Sequence, residues 1–331
     1  MTSNPGFFHT CRRTALLGLA VALGAGGAAG IAAHSVSAEA AASSASATAS
    51  AVQGTAVYNQ FESYLKNAAK TPTSLIQARN YLLNHIKQAD SWRATVMVLH
   101  LENAQKTRLA AFSEKIYPER VQKIMDAAYR KGGTDKGLTY TSLMNQVTDT
   151  SVKALLTELF GYGYKLETSE GMYYPVMNYE GFKPFKAYTS KDIAAYIDLM
   201  ATESNRPALS DAAIVITWDE LIGRALIMEK FVSQYPSSNR NAAVKDLLKL
   251  RTLFVFYGAS NTPAYSYGDN GEPTLIDPEL KRAYEDVITN GTGNSQILKD
   301  IQTLQGILDK NGGQWDTNVA AFLKKYQLMT D

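Results

Sequence analysis

The chain has 331 residues, of which 45% are hydrophobic and 19% charged. That is enough for one or two folded domains and too apolar for wholesale disorder. The formal net charge is +2, and Arg12 and Arg13 supply that excess, so no dense basic face speaks for nucleic acid as a partner. The single cysteine, Cys11, precedes an apolar stretch; once that stretch is removed, disulfides, thiolate nucleophiles and cysteine metal sites are excluded.

Residues 1–40 read as an export signal. Arg12 and Arg13 form its positive region, an Ala/Leu/Gly stretch runs over 15–33, and Val36-Ser37-Ala38 gives a small-residue cleavage pattern, with Ala38-Glu39-Ala40 as a second. The arginine pair ahead of a Gly-rich segment resembles a twin-arginine signal; ordinary secretion is the other route. Gly24, Gly26, Gly27 and Gly30 make a poor spanning helix, so no stable membrane span is expected after cleavage. The expected location is secreted or envelope-associated, outside the cytoplasmic membrane. Residues 41–54, rich in Ala, Ser and Thr, read as a flexible spacer.

Residues 55–160 carry helical periodicity throughout. Phe61, Tyr64, Leu65 and Ala68 share a face, as do Leu75, Ala78, Leu82 and Ile86. Asp90 or Ser91 is placed to cap a helix through Val96, Leu99, Leu109 and Phe112, broken at Tyr117-Pro118 and resumed through Val121, Ile124 and Met125. A further helix carries Val152, Leu155 and Leu159 and stops at Gly161.

Residues 161–188 lack that period. Tyr164, Leu166 and Thr168 alternate with polar residues, Glu170-Gly171 supplies a turn, and Tyr173-Tyr174 suits a returning strand until Pro175, so a small β-hairpin-like insertion is expected. An aromatic loop with carboxylates fits a binding surface, because rings offer stacking area and carboxylates accept hydroxyl protons. The candidate binding residues are Tyr162, Tyr164, Glu167, Glu170, Tyr173, Tyr174 and Tyr179. The competing reading is that these rings plug the joint between two helical units.

Residues 189–331 return to helices. Thr189 with Asp192 reads as a near capping box. Ser210 reads as the cap of a long helix through Ile214, Trp218, Leu221, Ala225, Met228 and Val232. The segment 231–238, with Ala242 and Ala243, resembles the joint between helices of one tetratricopeptide-type repeat, which implies a helical hairpin used for protein contacts; no second copy follows at a fixed period. A polar loop covers 261–273, Asp277-Pro278 starts the next helix, and two more follow. The fold class expected is therefore all-α: a bundle or hairpin array of about ten helices with the β-like insertion near the middle.

Few residues suggest chemistry. His85 and His100 lie outside any metal-ligand spacing, and no cofactor motif occurs, so neither a metal nor a cofactor is expected. Thr202-Glu203-Ser204 resembles the Glu-Ser motif of lytic transglycosylases, which implies Glu203 as a general acid and base, but the family's next element is missing. The acidic loop of Asp269, Asn270, Glu272, Asp277 and Glu279 offers oxygen ligands for calcium, which gives a calcium-stabilised surface protein as a third reading, but it lacks EF-hand spacing. The block 164–176 is similar to exported helical proteins of Gram-positive, Bacillus-like bacteria, which implies an envelope location and no particular activity. The function expected is non-enzymatic binding or scaffolding at the cell envelope. The partner would be cell-wall polymer, a peptide or another envelope protein, and the alternative is a peptidoglycan-cleaving enzyme using Glu203.

Overall fold

The computed structural model describes residues 34–68, 70–132 and 137–327, with 34–50 and Gln327 described by their backbone alone. Residues 1–33, which hold most of the expected export signal, lie outside them. The chain divides into units 1–47 and 48–331. Of the first, only the beginning of helix α1 (His34–Ala68) is described. Over 41–54, the expected spacer, the backbone is helical, in keeping with alanine's top rank as a helix former.

In the second unit, α2 (Thr73–His85), α3 (Ser91–Ile116), α4 (Glu119–Gly132), α5 (Tyr140–Met144) and α6 (Thr150–Gly161) follow the apolar spacing. Asp90 caps α3 by accepting from the Arg93 amide at 3.0 Å, and Pro118 separates α3 from α4 as its missing amide requires. The expected hairpin is present. Strand β1 (Tyr164–Ser169) pairs antiparallel with β2 (Met172–Met177), Tyr164 opposite Met177. Its turn has Glu170 at φ 52° and Gly171 at φ 76°, the two left-handed positions of a type I′ turn.

A 3-10 segment (Tyr179–Tyr188) leads to α7 (Lys191–Asn205), whose N-cap is Ser190 rather than Thr189. The long helix expected from Ser210 is corrected: β3 (Leu209–Ser210) and β4 (Ala213–Ile214) form a second hairpin, and α8 (Trp218–Gln234) starts later, capped by Thr217. The run Ile214-Val215-Ile216-Thr217 is β-branched throughout and favours extended backbone. Helix α9 (Asn241–Tyr257) completes the helical hairpin with α8. The expected polar loop 261–273 is part of two more hairpins that extend beyond it on both sides, β5 (Gly258–Ala259) with β6 (Thr262–Pro263) and β7 (Tyr265–Tyr267) with β8 (Pro273–Ile276). Helices α10 (Pro278–Ile288), α11 (Gln296–Leu308) and α12 (Thr317–Gln327) close the chain. The architecture is predominantly helical, with four two-stranded antiparallel hairpins among the described residues.

Two apolar cores result. One takes its side chains from α1 through α7, including Tyr162, Tyr164, Tyr173, Phe182 and Phe185 of the aromatic stretch. The other runs from Ala208 to Tyr326. Helices α8 and α9 serve both. Met228, Phe231 and Val244 belong to the first core, and Leu221, Ile222, Ala225, Val255 and Phe256 to the second. The division between cores thus runs through α8 and α9, and the aromatic stretch is an integral part of the first.

Candidate functional site

The expected binding tyrosines are mostly interior. Tyr162, Tyr164, Tyr173 and Tyr179 are buried, and each hydroxyl donates to an acceptor: Glu158 at 3.0 Å, the Gln105 carbonyl at 2.7 Å, Asp126 at 3.1 Å and Glu102 at 2.6 Å respectively. A buried ring whose hydroxyl is satisfied gains its apolar contacts without an orphaned polar group. Burial, then the neighbouring Glu158, pushes the Tyr162 phenol up to about 12; burial, then Asp126, does the same for Tyr173. Of the seven residues, Glu170 is exposed at the hairpin tip, and Glu167 and Tyr174 are half-buried. Four rings are therefore closed to a stacking ligand, and the seven do not form one surface.

Helix α7 organises the polar groups that the sequence left unassigned. From its middle, Tyr196 donates to Glu102 at 2.7 Å, beside the bond from Tyr179. Glu102 is 2% exposed on α3. Lys106 Nζ stands 2.7 Å from it, and Arg240, just ahead of α9, donates Nε at 2.8 Å. Burial would push this carboxyl up, but the charges of Arg240 and Lys106 outweigh it and hold the group below the usual carboxylate range.

From the end of α7, Glu203 meets α8 and α9. One oxygen accepts from Arg224 Nη1 at 3.2 Å and the other from Arg251 Nη2. Arg224 donates its other terminal nitrogen to Glu220 at 2.6 Å, and Glu220 also accepts from Arg206 at 2.6 Å. Both carboxylate oxygens of Glu203 are thus engaged by guanidinium groups, an arrangement suited to a structural ion pair and not to proton delivery. Beside this cluster, α7 and α8 frame a cleft of about 250 Å³, walled by Ala195, Leu199, Ile227 and Met228 with Glu203 and Arg224 at its polar end.

The remaining polar candidates are structural. His100 bonds Glu62 at 2.6 Å, and His85 contacts the Tyr81 carbonyl at 2.9 Å. Asp277 caps α10 and accepts from Trp218 Nε1 at 3.1 Å. Among the described residues, no three His, Asp or Glu side chains converge on a metal position, and no helix is long and apolar enough to cross a membrane. Glu102–Lys106 and Glu220–Arg224 were legible as i, i+4 pairs. Their partners Arg240 and Arg251 carried no local signal. No protein family, curated protein or solved structure matches the chain, so its residues are the guide to its chemistry.

Proposed function

We propose that the chain is an exported binding protein of the bacterial cell envelope, without catalysis of its own, whose α7–α8 cleft receives an apolar group from a peptide or a neighbouring envelope protein. The observation that carries this reading is the state of the cleft's polar groups. Glu203, Glu220 and the two terminal nitrogens of Arg224 are held by one another, Arg224 Nε is enclosed, and Asp198 is held by Lys186. What the cleft offers a ligand is its apolar wall, with Ile227 58% exposed beside it. Its volume lies below the range of about 300–1,000 Å³ usual for whole small-molecule ligands and suits one or two side chains. A wall polysaccharide would need free donors and acceptors in that place. Export is supported by Arg12-Arg13, the apolar stretch 15–33 and the small residues that follow.

The test uses wild-type protein, Ile227→Asp and Glu203→Gln, each incubated with envelope extract and with purified wall material. The expected result is a bound protein or peptide that Ile227→Asp loses, with no new sugar ends in the wall fraction. Wall fragments released by wild-type protein and not by Glu203→Gln would overturn the reading in favour of a peptidoglycan-cleaving hydrolase or lytic transglycosylase.

A further inference from the structure

Arg79 on α2 is the one arginine among the described residues with neither an ion pair, a hydrogen bond nor a ring beneath it. Arg93, Arg120, Arg130, Arg206, Arg224, Arg240, Arg251 and Arg282 are paired with carboxylates, and Arg108 lies over the Tyr162 ring at 5.0 Å. Arg79 is nevertheless half-buried, and burial lowers its pKa from the ordinary value. No Arg79 nitrogen is among the enclosed side-chain atoms that lack a partner, so the unpaired guanidinium of this half-buried residue still reaches solvent.

Two glycines shape the space around it. At Gly163, between α6 and β1 with φ +83°, an added Cβ would stand 3.0 Å from Arg79 Nε and 2.8 Å from Gln105 Nε2. At Gly181, early in the 3-10 segment, it would stand 3.3 Å from Arg79 Nη2. The backbone therefore makes room for the whole guanidinium edge. The carboxylate next to Gly181, Glu180, is paired with Lys183 at 2.8 Å and accepts from Asn205 at 2.6 Å. A partly desolvated charge without a counter-ion is unfavourable, and an anion from outside would relieve it.

From this geometry we propose that Arg79, cradled by Gly163 and Gly181, is a binding site for a free carboxylate group, supplied by a peptide C-terminus or a small organic acid. The single planar fork matches a carboxylate's two oxygens. A phosphate dianion would call for a second cation, but Lys165 and Lys183 are committed to Glu167 and Glu180. The site is separate from the α7–α8 cleft and stands whether or not that cleft binds a partner.

The experiment titrates the purified full chain at constant ionic strength with N-acetylglycine, its neutral amide, N-acetyl-trialanine and inorganic phosphate, following binding by NMR shifts. Saturable binding of N-acetylglycine or N-acetyl-trialanine, and not of the amide, is expected. Preference for the peptide identifies a C-terminus as the source, and equal binding identifies a small acid. Arg79→Gln should weaken binding by about tenfold or more, the usual scale of a charge-assisted bond. Arg79→Lys keeps the charge and loses the fork, and should fall between the two. No saturable binding by wild-type protein, equal binding of the amide, tighter binding of phosphate, or unchanged affinity in Arg79→Lys would overturn the proposal.

Discussion

Arg240 donates from Nε to Glu102 across 2.8 Å and 138 residues of sequence. The bond ties the start of α9 to the middle of α3, and Tyr179, Tyr196 and Lys106 complete the shell around the same carboxylate. Removing one partner of a buried pair leaves the other uncompensated. Arg240→Met should therefore destabilise the fold by about 3–5 kcal/mol in denaturant unfolding, and the double variant Arg240→Met/Glu102→Gln by less than the sum of the singles.

The same carboxylate predicts an acid limb of stability. Its folded pKa lies below the unfolded value, so its stabilisation is present at neutral pH and is lost as pH falls from about 4.3 through the folded pKa. Unfolding free energy measured against pH should show that loss in the wild type, and a shallower one in Glu102→Gln.

At the alkaline end the sign reverses. Tyr162 and Tyr173 hold their protons up to about 12 in the fold. Unfolded tyrosine ionises near pH 10, so stability should decline from about pH 10 toward 12 as the unfolded state loses protons first. Absorbance of ionised tyrosine, recorded alongside unfolding, checks this: Tyr173→Phe should flatten the decline.

The buried rings separate from the half-buried one. Tyr179→Ala removes a ring that is 3% exposed and should cost about 3–5 kcal/mol. Tyr174→Ala, at a half-buried ring, should cost under about 1.5 kcal/mol. In the second core, Leu221→Ala should cost about 2–5 kcal/mol, because Leu221 is fully enclosed.

Ala212 sits at φ 57° in the β3–β4 turn, a conformation that a Cβ disfavours. Asn261 holds it there, its amide donating to the Ala212 carbonyl at 3.0 Å and its side chain to the Asp211 carbonyl at 2.6 Å. Ala212→Gly should raise stability by about 1 kcal/mol in thermal melts, since glycine adopts this region without strain.

What the sequence determined by itself is local. The 3.6-residue apolar period, the caps at Asp90 and Asp277, the break at Pro118 and the Glu170-Gly171 turn each depend on residues a few positions apart, and they yield the helices and the first hairpin. The β-branched run at 214–217 is equally local, but it coincides with the helical spacing of Ile214 and Trp218, so the two local signals conflict where the chain forms its second hairpin. Tertiary structure alone decided which side of the molecule each tyrosine took. A phenol suits the interior or the surface, and the choice rests on whether an acceptor such as Glu102, 77 residues from Tyr179, lies within reach. It also decided that Glu203 would face Arg224 and Arg251, because the pairing of charges on separate helices follows from which helices are adjacent in space, and no spacing along one helix encodes it.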